Sequence, residues 1–321
     1  MRILLTGATG FVGSHILKAL LADHHSVCIL IRKYSKPDRI RDVIENCPVY
    51  SLDTAVPEQI FGENQIDCVV HCATCYGRNH REYMQNMTSN MLFPMELLCC
   101  AVDHGVKYFM NTDTFFCKQI VRESDLDRDV YMSGYTLSKM QFRQWGRVLA
   151  SEYGIRFVNM KLEHVYGEDD SVGKFIPYVV NQCRNNVPVI KLSSGMQKRD
   201  FIHISDVTDA YRTVISGLQN PAENNYVEYG VGTGRMRSLK EFVELIHTAV
   251  RSSTVLDWGK VNLRPGELMQ SEADNSALIK LGWHAKIMED SDIRKVFESP
   301  GGGRKLIAFS RNAVPKGGAA V

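Results

Sequence analysis

Residues 4–20 read LLTGATGFVGSHILKAL, an apolar run broken by Gly7, Gly10 and Gly13 and then resumed at helical spacing. A strand that turns through glycines into a helix offers the helix N-terminal amides to an anion, and glycine lets the backbone come close to a pyrophosphate. The spacing is G-x-x-G-x-x-G, which a plain glycine turn also satisfies. The rest of the chain adds weight. Further apolar runs, SVCILI, CPVYSL, CVVHC, VKYFMN and RFVNMKL, each end in polar or glycine-rich residues and alternate with longer helical patterns. Such alternation predicts an α/β fold, a doubly wound parallel sheet with helices on both faces.

Two helices, over Arg81 to His104 and Ser133 to Tyr153, are long and amphipathic. After Tyr166 the pattern loosens through GEDDSVGKFIPYVVNQCRNNVPV, KRDFIHISDV and YVEYGVGTG, as expected of a smaller mixed α/β segment interleaved with returning strands. The expected division is a dinucleotide-binding domain over 1–164, with a returning segment near 200–235, and a smaller C-terminal substrate domain over 165–300. The glycine-rich, basic stretch 301–321 is expected to be a disordered tail outside the fold.

Composition narrows the function classes. The chain has 321 residues, 44% of them hydrophobic, and 38 Lys and Arg against 36 Asp and Glu, a formal charge of +2. That balance disfavours a nucleic-acid face or a polybasic membrane anchor and favours a small-molecule partner. No apolar run approaches a membrane span, and the N-terminus enters its glycine turn too early for a signal peptide, so a cytoplasmic enzyme is expected. The nine cysteines read as reduced thiols. Cys72 and Cys75 form C-x-x-C beside His71, but no second ligand pair has suitable spacing, so no metal site is expected.

After the second strand stand Arg32 and Lys33, where an acid would accept from the ribose 2′-hydroxyl of NAD. A cation there suits a 2′-phosphate and favours NADP(H) over NAD(H), although a solvated surface pair would look the same. Asp53, after the third strand, is placed to bond an adenine amino group, and Ala73 to lie on the nicotinamide side. Tyr135 and Lys139, in YTLSK, share one helix face, where an adjacent ammonium favours a phenolate and equips the tyrosine for proton transfer to or from an alcohol oxygen.

With TGATGFVG, VVHCAT, SNMLFPMELL, YTLSK, KLEHVYG, QKRDFIHISDV and LRPGELM in that order, the chain resembles the extended short-chain dehydrogenase/reductase family over about residues 1 to 290. The resemblance implies a Rossmann domain for NAD(P), a smaller domain for a nucleoside-diphosphate sugar, and a homodimer packed through the two long helices. It implies Thr112, Tyr135 and Lys139 as catalytic residues, with Thr114 the fallback for Thr112. For the cofactor it implies Gly7, Thr9, Gly10, Phe11, Val12 and Leu162 beside Arg32, Asp53 and Ala73, with Asn90 positioning the active-site elements. Arg199 and Arg264 match diphosphate-clamping arginines, or else make surface ion pairs. His164, Lys174, Arg78, Asp113 and Thr114 complete the expected substrate set, while a packed loop accounts equally well for Cys75, Tyr76 and Arg78.

The stretch 111–114, NTDT, separates branches of that family. Its 4,6-dehydratases carry Thr-Asp-Glu there, and Thr114 replaces the glutamate base with a neutral hydroxyl. Asp113 is then expected to orient a sugar by hydrogen bonding, or merely to cap a turn. The family's reductases that also epimerise at two carbons carry a cysteine at the place of Thr114 and a histidine soon after the YG, where this chain reads GEDDSV, so that chemistry is disfavoured too. What remains needs a hydride and one proton: reduction of the 4-keto group of a nucleoside-diphosphate 4-dehydro-6-deoxy sugar, CDP-linked as the resemblance implies, for O-antigen or another surface polysaccharide. A 4-epimerase that retains tightly bound NAD is the alternative, and a non-enzymatic dinucleotide-binding protein the third.

Overall fold

The computed structural model describes residues 1–77, 80–116, 133–221, 223–263 and 267–298. The expected tail, Arg78 and Arg264 lie outside these described residues. Two compact units result: Met1–Leu162 with Thr208–Val231 and Asp274–Trp283, and Glu163–Val207 with Gly232–Ala273 and His284 onward.

The larger unit contains β1 (Arg2–Thr6), α1 (Phe11–Ala22), β2 (Ser26–Ile31), β3 (Val49–Ser51), α2 (Pro57–Glu63), β4 (Cys68–His71), α3 (Tyr83–Met87), α4 (Phe93–Asp103), β5 (Tyr108–Thr114), α5 (Gly134–Tyr153) and β6 (Arg156–Leu162). A returning strand, Tyr226–Val231, completes a seven-stranded sheet in the order Tyr226–Val231, β6, β5, β4, β1, β2, β3. Every neighbouring pair is parallel. Strands covered on both faces need continuous apolar runs, and Ile3, Leu4, Leu5, Val69 and Val70 are all fully buried. Between β1 and β4 the strand order reverses, and open sheets of this kind bind ligands outside the strand C-termini at such a reversal.

Two local departures from the expected elements matter. β5 does not stop at Asn111 but continues through Thr112, Asp113 and Thr114, paired with Met160, Lys161 and Leu162 of β6. Alternation along a strand therefore sends Asp113 to the face opposite Thr112 and Thr114. The helix expected over 81–104 is interrupted by a π turn, Thr88–Leu92, between α3 and α4. Pro94 has no N–H to give the Asn90 carbonyl, and the helix accommodates the missing bond by widening there.

Where α5 packs on the sheet, its Phe142 is fully buried with Phe109 of β5 and Phe157 of β6, the Phe109 and Phe157 rings stacked at 5.5 Å. Truncating such a core aromatic to alanine costs about 3–5 kcal/mol.

The smaller unit packs the helices Phe175–Arg184, Leu239–Ala249 and Asp290–Glu298 around Val179, Phe201, Phe242 and Val243. The Phe201 and Phe242 rings stack at 3.9 Å. Short strands His164–Tyr166 and Phe201–His203 pair in parallel. The fully buried Asp200 accepts from the amides of Thr233 (2.8 Å), Gly234 (2.9 Å) and Ala273 (3.1 Å), which ties Glu163–Val207 to Gly232–Ala273 within this unit. Among the described residues no helix is long and apolar enough to cross a membrane.

Candidate active site

The glycine turn lies at the strand reversal. Gly7 has φ +73°, and a Cβ there would stand 2.5 Å from the Ala73 amide nitrogen, at the end of β4. A Cβ on Gly13 would stand 2.2 Å from the Gly7 carbonyl oxygen. Both positions therefore require glycine. Gly10 is the N-cap of α1 with no side-chain cap, and the first turn of α1 carries no acid. An uncapped, acid-free helix N-terminus above a glycine cradle is suited to an anionic pyrophosphate, so the residues present fit a dinucleotide cofactor. Thr9, Gly10, Phe11 and Val12 form the turn and first helical residues, and Leu162 ends β6.

At the far end of the cradle, Arg32 is exposed just beyond β2. Asp53 accepts from the Lys33 amide at 2.6 Å, closing the loops after β2 and β3 on each other. Arg39, which was not expected at the site, donates from Nη1 to the Thr9 carbonyl at 3.2 Å and brings a cation to the glycine turn. No local pattern marks it, because a loop carries it back across 30 positions.

Asn90 sits in the π turn and is fully buried. Its Oδ1 accepts from the Cys75 amide (2.8 Å) and the Thr74 hydroxyl (3.1 Å). Its Nδ2 donates to the Cys75 carbonyl (2.8 Å) and Ser138 Oγ (3.2 Å). One side chain thus pins the loop after β4 to α5.

Ser133 caps α5, its hydroxyl accepting from the Thr136 amide at 3.2 Å. Tyr135 lies in the first turn, largely buried, with its ring 4.9 Å from that of Tyr76. One turn on, Lys139 is buried and donates from Nζ to the Thr112 carbonyl at 2.8 Å. α5 and β5 therefore bring Lys139 and Thr112 together. Burial and the Lys139 charge hold the neighbouring His71 imidazole well below its ordinary pKa, so it stays neutral. The Thr112 hydroxyl is 2.7 Å from the Tyr211 hydroxyl and 3.2 Å from Cys72 Sγ.

Asp113 departs from its expected place. Its side chain is 0% exposed, and its carboxylate accepts from Asn159 Nδ2 at 2.9 Å, its own neighbour Thr114 N at 2.8 Å and Arg143 Nη1 at 3.4 Å. Because β5 runs on through this residue, the carboxylate turns toward α5 and the sheet interior instead of standing at a strand end beside a sugar. Thr114 is buried on the other face, and its hydroxyl accepts from the Phe116 amide at 3.3 Å.

In the smaller unit, His164 and Lys174 line one cavity of about 70 Å³ with Asp170, Phe175, Phe201 and Leu239. Lys174 pairs with Asp170 at 2.9 Å. Burial and the Arg199 and Lys174 charges hold the His164 imidazole well below its ordinary pKa. Arg199 is buried and is no surface ion pair: Nη2 meets Glu267 at 2.5 Å and Nη1 donates to the Lys198 carbonyl at 2.9 Å. A diphosphate at this guanidinium would have to displace the Glu267 carboxylate. Among the described residues no cluster of His, Cys, Asp and Glu could hold a metal ion.

Comparison with known proteins places this geometry. CDP-abequose synthase of Salmonella muenchen is 35% identical over 296 residues, which span 92% of this chain and 96% of that protein. CDP-abequose synthase of Salmonella typhimurium is 34% identical over 286 residues, 88% of this chain and 92% of that protein. Among solved structures, UDP-glucose 4-epimerase of Thermus thermophilus in complex with NAD superposes with a TM-score of 0.75 at 22% identity, covering 92% of this chain and 97% of that one. This likeness shows the Rossmann fold. Residues 3–231 match the model of the NAD dependent epimerase/dehydratase family. Most of the chain is thus accounted for by one family pattern, and the chain belongs to the NAD dependent epimerase/dehydratase family.

Proposed function

We propose that this chain reduces the 4-keto group of a CDP-linked 4-dehydro-6-deoxy sugar with NADPH, in making a deoxysugar for O-antigen or another surface polysaccharide. The observation that carries the reading is the 35% identity to a CDP-abequose synthase along nearly the whole of both chains, together with Thr112, Tyr135 and Lys139 on β5 and α5. A bound NADPH supplies the hydride. Tyr135 gives its proton to the developing alkoxide, and Thr112 holds that oxygen by hydrogen bonding. Lys139, fixed by the Thr112 carbonyl, favours the phenolate left on Tyr135. The larger unit would take the cofactor and the smaller unit, through His164, Lys174 and Arg199, the nucleotide sugar. Arg32, Lys33 and Arg39 around the glycine turn support NADPH over NADH, since a guanidinium fork matches a 2′-phosphate.

A homodimer through the long helices is supported by the apolar residues they expose: Met84 is 72% and Leu92 55% exposed, and on α5 Leu137, Trp145 and Val148 share a face. The 4-epimerase reading draws on the fold neighbour solved with NAD. CDP-4-dehydro-3,6-dideoxyglucose and NADPH, followed by absorbance and product NMR, separate the two. Stoichiometric NADPH consumption that falls at least about a hundredfold in Tyr135→Phe is expected. Tightly bound NAD with no net turnover of NADPH would select the epimerase, and near-normal reduction by Tyr135→Phe would refute the mechanism.

A further inference from the structure

We propose that Tyr211 is a positioning residue for the reduction, its phenol fixing the direction in which the Thr112 hydroxyl presents its proton. The inference rests on the reductase reading given above and extends it to a residue outside the family motifs, four positions beyond the end of QKRDFIHISDV. Tyr211 lies on the helix Ile204–Gly217, in the stretch from Thr208 that belongs to the larger unit. It is 1% exposed, and its hydroxyl is 2.7 Å from Thr112 Oγ1. On the other side, Thr112 Oγ1 is 3.2 Å from Cys72 Sγ, at the end of β4.

Three groups in a row hold three protons, and their chemistry orders them. Burial raises the Tyr211 phenol well above its ordinary pKa and pushes the Cys72 thiol up to about 11, so both stay protonated at neutral pH. An alcohol oxygen is a better acceptor than a phenol oxygen, whose lone pair is delocalised into the ring, and thiol sulfur is a weak acceptor. The chain therefore runs Tyr211 O–H to Thr112 O–H to Cys72 Sγ. Accepting from Tyr211 polarises the Thr112 hydroxyl and makes it a stronger donor. Its proton rests on the weakest acceptor of the three, from which a ketone oxygen can take the hydrogen bond as it gains negative charge. Tyr211 loses no proton in this arrangement.

The test is steady-state reduction of CDP-4-dehydro-3,6-dideoxyglucose by NADPH. Tyr211→Phe keeps the ring and removes the donor. We expect kcat to fall about tenfold with KM within about twofold. In a Thr112→Ala background the same substitution should change kcat by less than about twofold, because it acts through the hydroxyl already removed. A purely structural role would instead multiply through the double variant, or leave kcat intact and raise KM; either result overturns the proposal. A silent Tyr211→Phe beside an impaired Thr112→Ala overturns it alone. An unimpaired Thr112→Ala overturns this inference and leaves the reductase reading standing, whereas no turnover by the unaltered chain overturns both. Should Tyr211→Phe not fold, Cys72→Ser reads the chain from its other end: a stronger acceptor should retain the Thr112 proton and lower kcat at least about threefold, and an unchanged kcat refutes the idea.

Discussion

Replacing Asp113 by asparagine separates a carboxylate that builds the site from one that touches the sugar. The aspartate side chain is wholly buried, and it accepts from Asn159 at 2.9 Å, from the Thr114 amide at 2.8 Å and from Arg143 at 3.4 Å. An amide of the same shape can keep the Thr114 bond with its oxygen. Its NH2 then faces the Asn159 amide and the Arg143 guanidinium, both donors. One hydrogen bond to a charged group is worth about 1.5–3 kcal/mol. The Arg143 charge loses its nearer carboxylate partner, while Glu228 lies farther off, at 3.8 Å. Together these changes should lower stability by about 3 kcal/mol, since a buried charge deprived of its partner is costly. At roughly 2 °C per kcal/mol for a chain of this length, the thermal midpoint should drop by about 6 °C. Thermal unfolding and steady-state kinetics on one preparation test this, with KM for the keto-sugar expected to stay within about twofold. An unchanged midpoint with KM raised tenfold or more would show the carboxylate meeting the sugar, and the burial argument would be wrong.

Gly13→Ala puts a methyl group where the Gly7 carbonyl oxygen would stand 2.2 Å away, so the cradle must open; NADPH affinity should fall at least about tenfold by fluorescence titration, and normal binding would refute the need for glycine. Burial alone would raise the Glu228 carboxyl, but Lys161, Asn159 and Arg143 outweigh it and hold the pKa below its ordinary value. A carboxyl lowered in the folded state contributes stability in full above its unfolded value, about 4.3, and loses it as pH falls through the folded value. Glu228→Gln should therefore be less stable by about 1 kcal/mol at pH 7, with the gap narrowing as pH falls below the ordinary carboxyl range in urea titrations; a constant gap would refute the assignment. Trp145→Glu, on the exposed apolar face of α5, should convert a dimer to a monomer in sedimentation without loss of fold, and an unaltered mass would put the dimer contact elsewhere.

What could be read from the chain in advance, and what could not, follows from the range of each signal. The glycine turn, the alternating runs and the YTLSK helix are local, and each lies where its spacing put it: β1 into α1, six strands in register, Tyr135 and Lys139 one turn apart. Pro94 also announced the π turn locally, though a continuous apolar stripe from Arg81 to His104 conceals it. Asp113 shows how a small boundary error becomes a chemical one. Ending the strand at Asn111 leaves the acid free to face a ligand, whereas extending it to Thr114 commits alternate side chains to opposite faces and gives Asp113 to Arg143 and Asn159. Tyr211 and Arg39 carried no local signal at all. A tyrosine on a helix face reads as core, and an arginine in a loop reads as solvated; only the returning chain sets the first against a hydroxyl 99 positions away and the second against the Thr9 carbonyl. Asp274–Trp283, expected in the smaller domain, rejoins the larger unit for the same reason, since a short helical piece docking beside the strand Tyr226–Val231 has no periodicity of its own to declare it. The residues proposed for proton transfer thus lie in contiguous motifs, whereas Tyr211, proposed to aim one of them, lies in a segment those motifs do not contain.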